Sequence, residues 1–372
     1  MNKNEKIVGV WHRPNVSGKE TDLVSLCAVL DRFRSAGINT VFLETFYHGK
    51  TVFRTDKVRY NDTVASFVYG DYPDYATAFV VEAEKRGIGV HAWVQDFYIG
   101  VDEKTPLVTD HEDWLLTNQR GSIRHTTEGQ GFGGYIFLDP ANPEVGTFLT
   151  DFYDELLTKL PAIKGLNLDY IRYPVSVFEE NTDTGYTRIA MESFAEKNGL
   201  TIKADDSREA FRRQIEEKGL EDAWTFHRSE YVTAFVRQVR QMVSSKHPGK
   251  LISTAVFPEV EQTYQLKKQN FRVWVDSGYI DIVTPMVYFY EASQIRDAVE
   301  RLKAICSSAR CCTGLYTTYH NQSTEALAEH IAASDKAGAD GVVFFDSAKT
   351  FFQASEDYTA YLSAVFGESK NV

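Results

Sequence analysis

The chain has 372 residues, of which 43% are hydrophobic and 25% are charged. This mixture is typical of a globular protein that can bury a sizeable core. The 52 Asp and Glu residues outnumber the 40 Lys and Arg residues, which gives a formal net charge of -12. Because such a chain repels polyphosphates, its charge argues against nucleic acid as a partner.

The chain start and the cysteines bear on location and cofactors. Residues 1–6 are polar and lead directly into an apolar run, with no signal-peptide core, and no stretch is apolar for long enough to span a bilayer. We therefore expect a cytoplasmic protein without membrane contact, or an exported one if a leader has been removed. Cys27, Cys306, Cys311 and Cys312 have no zinc-site spacing, so we expect reduced thiols, no metal and no other cofactor.

A recurring order of elements runs along the chain: an amphipathic helix, then a glycine, then a short apolar run. Helices are predicted over 22–36, 75–86, a stretch reaching 277, and 323–337. The glycines that follow them are Gly37, Gly87, Gly278 and Gly338. A glycine after a helix adopts the left-handed conformation that lets the chain turn back into a strand.

Eight apolar runs fall between such helices. They cover residues 6–11, 38–44, 88–94, 163–171, 251–257, 279–289, 312–317 and 341–346. Runs that are apolar on both faces and separated by helices indicate a parallel sheet, and eight such units predict an α/β fold of the (β/α)8 TIM-barrel type. A doubly wound open sheet is the alternative, but no GxGxxG motif follows the first run.

Two long insertions interrupt this order, over 97–135 after the third strand and over 175–223 after the fourth. Long loops at strand C-termini are where lids and substrate walls belong. No linker-like stretch divides the chain. We expect residues 1–372 to form a single barrel domain, with 175–223 as a small inserted cap.

The C-terminal ends of barrel strands face a common cavity, so the residues there are the candidate site. They are His12, Arg13, Glu44, His91, Trp93, Gln95, Asp96, Asn167, Asp169, Tyr170, Arg172, Glu259, Tyr288, Tyr290, Glu291, His320 and Asp346. Carboxylates with aromatic rings and a few cations suit a carbohydrate, because the rings stack on sugar faces and the polar groups bind hydroxyls.

Asp169 is the candidate catalytic carboxylate. It lies within an otherwise apolar strand, where a charge is costly unless it faces a functional cavity. A structural ion pair with Arg172 is the alternative. Glycoside hydrolysis also needs a carboxylic acid that protonates the leaving oxygen, and Glu259 is the first choice for it. Glu291 is also plausible for this role, and Glu44 and Asp346 are further options.

Most of the other candidates are assigned to substrate binding. Trp11, Trp93, Tyr170 and Tyr288 could stack on sugar rings, although strand alternation would place some of them in the barrel core. His12 and His91 lack the His-x-His spacing of metal-dependent barrel hydrolases, so hydrogen bonds to substrate are expected of them rather than metal ligation. Substrate contacts are also expected from Glu44, Asp96, Arg172, Glu291 and Asp346.

Three motifs resemble those of the glycosyl-hydrolase-like family 10 proteins: DWLLTNQRGSIRH (113–125), LDPANPEV (138–145) and GLNLDYIRYP (165–174). Agreement continues over 89–94, 224–236 and 279–289. The resemblance implies a TIM-barrel glycoside hydrolase or a relative, in which Asp169 matches the acidic residue of the fourth-strand motif. Some members look like hydrolases of bacterial cell-wall glycan strands. Arg228 matches an arginine at a helix start and is expected to orient cavity groups.

The chain departs from the family pattern in GVWHRP (9–14), in Gln95-Asp96 and in AVFPE (255–259), all at the presumed sugar-binding rim. The sequence thus predicts a glycoside hydrolase that acts on an oligo- or polysaccharide by paired-carboxylate catalysis. The alternatives are a non-catalytic carbohydrate-binding barrel and a barrel hydrolase that uses a metal. The oligomeric state is not predicted.

Overall fold

A computed structural model describes residues 5–15, 18–178, 182–202, 207–317, 323–353 and 358–367. Its centre is a closed barrel of eight parallel strands. The strands are β1 (Ile7–His12), β2 (Thr40–Tyr47), β3 (Gly89–Gln95), β4 (Gly165–Asp169), β5 (Leu251–Val256), β6 (Ile282–Pro285), β7 (Arg310–Tyr316) and β8 (Gly341–Phe345). β1 pairs with both β2 and β8, which closes the ring. The predicted TIM barrel is therefore confirmed, and the open sheet is excluded.

An outer layer of helices surrounds the barrel, one after each strand. These helices are α1 (Leu23–Ser35), α2 (Tyr75–Lys85), α3 (Pro143–Lys159), α4 (Glu221–Lys246), α5 (Phe271–Asp276), α6 (Ala292–Ile305), α7 (Thr324–Lys336) and α8 (Tyr358–Phe366). The predicted helix–glycine–strand turns are confirmed, because the glycines at 37, 87, 278 and 338 all have φ between 70° and 80°. Further helices cover Asp62–Ala65, Pro106–Thr109 and Val260–Lys267.

Side chains of each strand alternate between the barrel interior and the layer beneath the helices. In β1, Ile7 and Trp11 pack inside the barrel, whereas Val8 and Val10 join the core under the helices. The large Trp11 ring fits inside the barrel because β7 carries Gly314, where a Cβ would lie 3.1 Å from that ring. This alternation explains why the strands are apolar on both faces.

The LDPANPEV motif starts helix α3. Oδ1 of Asn142 accepts a 2.9 Å hydrogen bond from the backbone N–H of Glu144, and Pro143 occupies the first helical position. Both features stabilise a helix start. Oδ2 of Asp139 accepts a 2.6 Å bond from the Thr187 hydroxyl, so the motif also holds the second insertion.

The first insertion, after β3, contains a three-stranded antiparallel sheet formed by Tyr98–Gly100, Arg124–His125 and Tyr135–Phe137. Its central strand is Tyr135–Phe137, which pairs with both others. Parallel barrel strands need helices between them, but a local antiparallel sheet needs only turns. This small sheet stands over the C-terminal ends of β3 and β4.

The second insertion, after β4, has a hydrophobic cluster of its own. Two helices, Arg188–Asn198 and Arg208–Lys218, pack against the start of α4. The buried members of the cluster are Ala141, Tyr186, Ala190, Met191, Phe194, Ala195, Phe211, Ile215 and Trp224. The cluster thus reaches past the predicted insertion, because it includes the first turn of α4. Both predicted long insertions are present.

Three further features of the described residues concern their helices, cysteines and possible metal ligands. None of their helices is long and apolar enough to cross a membrane. All four cysteines are free thiols. Within the same residues, no group of three or more His, Cys, Asp and Glu side chains is placed to hold a metal ion.

Candidate active site

A pocket of about 200 Å³ opens at the C-terminal ends of the barrel strands. Aromatic rings form most of its wall, with two arginines and one carboxylate. The lining residues are Arg13, Tyr47, His48, Trp93, Gln95, Tyr98, Tyr135, Asp169, Tyr170, Arg172, Ala255, Phe257, Met286, Tyr288 and Phe345. The pocket therefore combines flat apolar surfaces with hydrogen-bonding groups, as carbohydrate sites require.

Asp169 is the carboxylate of this pocket, at the last position of β4. The indole Nε1 of Trp93 donates a 2.9 Å hydrogen bond to Oδ2, and the backbone N–H of Tyr170 donates a 2.7 Å bond to Oδ1. Burial raises the pKa of Asp169, and these two hydrogen bonds oppose that rise. The carboxylate is thus held in one orientation by groups that favour its ionised form.

Arg13 lies between two buried carboxylates beside the pocket. Its Nε is 3.4 Å from Oε1 of Glu44, and its Nη1 is 3.2 Å from Oδ2 of Asp346. The guanidinium carbon lies 5.5 Å from the ring centroids of both Trp93 and Phe345. Arg13 therefore forms part of the pocket wall while it neutralises charge behind it.

Glu44 is almost fully buried at 4% exposure. Its pKa is raised to about 7, because burial and the nearby charges of Asp169 and Asp346 raise it by more than Arg13 lowers it. Nε2 of Gln95 donates a 3.2 Å bond to Oε1 of Glu44. A carboxyl group with this pKa keeps its proton in a large share of the molecules at neutral pH, which is the state a general acid requires.

Aromatic side chains lie on two sides of Asp169. Tyr170 stacks on Tyr98 of the first insertion, with ring centroids 4.6 Å apart. On the opposite wall, Tyr288 lies 5.6 Å from the Phe345 ring, and its buried hydroxyl has no hydrogen-bond partner within the described residues. A buried hydroxyl without a partner is costly, and a bound sugar hydroxyl would relieve that cost.

A charged cluster closes the side of the pocket next to β5. Glu128 of the first insertion accepts hydrogen bonds from Arg172 at 3.0 Å and from Lys267 at 3.3 Å. Burial lowers the pKa of Lys267 to about 8. The Arg172 guanidinium also lies 4.8 Å from the Tyr170 ring centroid. Arg172 pairs with Glu128 rather than with Asp169, which leaves Asp169 available to a ligand.

Residues 6–330 match the model of the family described as Glycosyl hydrolase-like 10. The chain belongs to this family. Glycosyl hydrolase DigH of Escherichia coli K12 is 24% identical over 283 residues, which cover 70% of this chain and 56% of that protein. DigH of Shigella flexneri gives the same values. The chain thus spans just over half the length of these relatives.

Solved glycosidase structures share the barrel. The catalytic domain of beta-amylase from Paenibacillus polymyxa aligns over 98% of both chains, with a TM-score of 0.62 and 10% identity. The beta-galactosidase from Marinomonas ef1 aligns over 97% of this chain and 59% of its own, with a TM-score of 0.64 and 12% identity. At these identities the likeness concerns the fold alone. The resemblance to glycosyl-hydrolase-like family 10 is confirmed.

Two of the predicted binding residues lie deep inside the barrel. Nε1 of Trp11 donates a 3.1 Å bond to Oδ1 of Asn167, and Nδ1 of His91 lies 3.4 Å from the Ser253 hydroxyl. Trp11 is 1% exposed and His91 is fully buried. Both face inward, but one or more layers below the pocket, so they fill the barrel core in this family member.

Two others face the helical layer instead of the pocket. Nε2 of His12 lies 3.0 Å from Oε1 of Glu20, and Oδ1 of Asp96 accepts a 2.7 Å bond from the Tyr153 hydroxyl. Both side chains are 0% exposed. Alternation accounts for this, because Trp11 of β1 and the following Arg13 face inward and therefore His12 faces outward. Asp96 faces outward for the same reason, because the preceding Gln95 faces inward.

The predicted acid Glu259 and its alternative Glu291 are exposed. Each stands directly before a helix, Val260–Lys267 and α6 respectively, and neither lines the pocket. The strands end before these positions, at Val256 and Pro285, so the chain has already turned away from the cavity. The structure does not bring Glu259 to Asp169. His320 lies outside the described residues.

The structure brings together Trp93, Asp169, Tyr170, Arg172 and Tyr288 on the pocket wall, with Glu44 and Asp346 behind Arg13. Arg13 and Gln95 were candidates at strand ends without a specific role, and the lining residues of the first insertion were not predicted. Inward alternation from Trp11 and Trp93 would have favoured Arg13 and Gln95. No local signal marks Tyr98 and Tyr135, because their positions depend on a sheet that forms only in the folded insertion.

Proposed function

We propose that this protein hydrolyses glycosidic bonds, with Asp169 as the carboxylate that acts at the anomeric carbon. The observation that carries the proposal is the setting of Asp169, which is the one carboxylate among the lining residues in the described part of the chain. Trp93 and the Tyr170 backbone hold it, and aromatic rings flank it. A sugar ring stacked on those rings would present its anomeric carbon to a fixed carboxylate.

Glu44 is the proton donor in this proposal, in place of Glu259. Its pKa of about 7 keeps it protonated at mildly acidic pH, and its charge interacts with that of Asp169. In the reaction the Glu44 proton moves to the glycosidic oxygen while the bond between that oxygen and the anomeric carbon breaks. In one course Asp169 bonds to the anomeric carbon, and a water that gives its proton to Glu44 then breaks that bond; in the other, Asp169 takes a proton from the water that itself bonds to the anomeric carbon. Arg13, which is 41% exposed, would swing aside to admit the leaving oxygen.

The proposed substrate is an oligo- or polysaccharide. Two structural neighbours are named as a beta-amylase and a beta-galactosidase. Because these two names refer to different substrates, they do not specify a sugar for this protein. The family resemblance adds bacterial cell-wall glycan strands as a candidate. The aromatic wall and the single pocket carboxylate suit a ring of several hydroxyls better than a strongly charged ligand.

The test compares the wild type with Asp169→Asn on α- and β-linked glycans, including peptide-free cell-wall strands, with release of reducing ends as the readout. The wild type should cleave at least one glycan, and Asp169→Asn should lose about 10²–10⁴-fold of that activity, as expected for loss of an acid–base group. Asp71→Asn, an exposed Asp-to-Asn change, is the matched control and should match the wild type. Equal activity of all three proteins would refute the role of Asp169.

A non-catalytic carbohydrate-binding protein is the second candidate. It is favoured by one observation: Glu44 lies behind Arg13, so among the described residues no second carboxylate reaches the pocket wall. This candidate predicts sugar binding in calorimetry, with no reducing ends released by the wild type from any glycan. The metal-dependent alternative predicts loss of activity on chelation, whereas the carboxylate mechanism predicts full activity.

A further inference from the structure

The pocket is small for a polymeric substrate. Its volume of about 200 Å³ lies below the roughly 300–1,000 Å³ of sites that enclose a drug-sized ligand. An oligosaccharide that places one unit beside Asp169 must therefore lay its other units across the rim. The rim should then carry a surface that binds a sugar ring.

The loop 128–135 of the first insertion stands at this rim. It begins at Glu128, which pairs with the pocket residue Arg172, and it ends at Tyr135, which itself lines the pocket. Phe132, near its tip, is 68% exposed. Isolated exposed apolar residues are common and need no explanation. The position of Phe132 matters because both ends of its loop are fixed to the pocket.

The loop is held in shape by Arg124. The Arg124 guanidinium donates hydrogen bonds to the backbone oxygens of Phe132 at 3.4 Å, Gly134 at 3.3 Å and Val101 at 3.2 Å. One arginine thus ties the tip of the loop to its base. A side chain on a loop fixed in this way is displayed at little additional cost in conformational entropy when it binds.

The loop backbone also rests on a pocket ring. A Cβ at Gly129 would lie 2.2 Å from the ring of Tyr135, so this position admits only glycine at such close approach. Gly129 and Gly134 have φ values of 64° and 99°, which an L side chain rarely adopts. The glycines therefore bring the backbone down onto Tyr135 and leave Phe132 as the large side chain of the tip.

We infer that Phe132 forms a second sugar subsite at the pocket rim, where its ring stacks on the sugar unit next to the one held beside Asp169. This inference rests on the proposed carbohydrate site. It specifies the substrate as a chain of at least two sugar units. The apolar face of the second unit covers the exposed Phe132 ring. Stacking on an aromatic ring tolerates different sugars, because it reads the flat face rather than individual hydroxyls.

The experiment measures binding as a function of chain length. Asp169→Asn serves as the background so that no ligand is consumed. The probes are malto-, cello- and β-1,4-N-acetylglucosamine oligosaccharides of one to six units, and isothermal calorimetry gives Kd. Phe132→Ala and Phe132→Trp are compared with Phe226→Ala. Phe226 is the matched control, since it is a 54% exposed phenylalanine on α4, where the adjacent His227 packs against Phe194 of the second insertion.

Phe132→Ala should weaken binding of the longer oligosaccharides about tenfold and leave binding of the single sugar unchanged. In Phe132→Trp, affinity should increase with chain length as much as in the background protein or more. Phe226→Ala should have no effect on affinity. Because Phe132 is exposed, melting temperatures should not change. Unchanged affinity of Phe132→Ala for every length, or an equal loss for the single sugar, would overturn the subsite.

Failure of the catalytic proposal gives a different result. If the wild type releases no reducing ends but Phe132→Ala still loses affinity only for longer chains, the subsite stands and hydrolysis does not. If no probe binds to any of the proteins, both the carbohydrate site and the subsite are overturned.

Discussion

Nε1 of Trp93 lies 2.9 Å from Oδ2 of Asp169, so an inward-facing tryptophan of β3 fixes the pocket carboxylate of β4. One layer below, Trp11 makes the same kind of contact with Asn167, at 3.1 Å. Asn167 and Asp169 are two residues apart on one strand and therefore face the same way. The barrel thus repeats a tryptophan-to-strand contact, once in its core and once at the pocket.

The effect of Trp93 on Asp169 can be tested with Trp93→Phe, and the similar contact of Trp11 provides the control. The variant removes the largest influence that lowers the pKa of Asp169, so that pKa should rise. Because Asp169 must be ionised to act, the low-pH limb of the pH profile of kcat/KM should move to higher pH. A hydrogen bond to a charged group is worth about 1.5–3 kcal/mol, so kcat/KM should fall by about ten- to a hundredfold.

Trp11→Phe is the control, because it removes the equivalent bond to a residue that does not line the pocket. It should leave the low-pH limb in place. A shift of that limb by the same amount in both variants would show that Trp93 acts through barrel packing rather than through Asp169.

The activity of the wild type should decline as the pH rises through about 7, because Glu44 then loses the proton that it donates. In Glu44→Gln the proton is absent at every pH, and kcat/KM should be about 10²–10⁴-fold lower. The measurement is a pH profile of kcat/KM for both proteins on one glycan. A wild-type profile that stays flat from pH 6 to 8 would assign the proton donor elsewhere.

Glu44 should also affect stability. The pKa of a glutamate is ordinarily 4.5, and burial raises that of Glu44 to about 7, so the folded protein binds the additional proton between these values. Its contribution is fully present below pH 4.5 and is lost as the pH rises through about 7, which costs at most about 3 kcal/mol. Glu44→Gln should therefore show a smaller decline in the free energy of unfolding over this range, as measured by urea titration at each pH. An identical decline in both proteins would contradict the raised pKa.

Arg13 should affect the pH at which kcat/KM declines as Glu44 loses its proton. Arg13 is the first of the influences that lower the pKa of Glu44, so Arg13→Met should move the alkaline limb of kcat/KM to higher pH. Arg13→Lys keeps a positive charge near both carboxylates and should move the limb less. A shift to lower pH in Arg13→Met would show that Arg13 does not act on Glu44 through its charge.

The barrel could be predicted from sequence because its signals are local. Each helix–glycine–strand turn reflects a backbone requirement that a few residues satisfy, as at Gly37. The position of Asp169 on the pocket wall could be predicted for a related reason, since a charge within an apolar strand has few acceptable surroundings. These two kinds of signal do not depend on the register of neighbouring strands.

The rest of the site depends on register and on distant contacts. A difference of one residue in where a strand ends turns a side chain to the opposite face, which separates His12 from Arg13. Glu259 follows a strand that ends three residues earlier, so it never reaches the cavity. The high pKa of Glu44 arises from burial and from the charges of Asp169 and Asp346, which are far away in sequence.

Arg228 was expected to orient cavity groups, and its contacts predict a structural role in the second insertion. Its Nη1 lies 2.7 Å from Oδ1 of Asp183, with both side chains at most 1% exposed. Burial raises the pKa of Asp183, but the charges of Arg228 and Lys268 and the hydrogen bonds to Asp183 together outweigh burial and leave that pKa at about 2. Asp183→Asn would leave the Arg228 charge buried without a counterion, and the free energy of unfolding should fall by about 3–5 kcal/mol.

The sign of the pH effect follows from the lowered pKa. Asp183 contributes stability above its ordinary pKa of 3.8, and this contribution is lost as the pH falls through about 2. The wild type should therefore lose stability over this range more steeply than Asp183→Asn in urea titrations followed by circular dichroism. Glu209→Gln is the control, since it breaks an ion pair whose side chains are both 66% exposed and should have almost no effect. If Asp183→Asn proved as stable as the wild type at neutral pH, Arg228 would not need its partner, and the insertion would be held by its hydrophobic cluster alone.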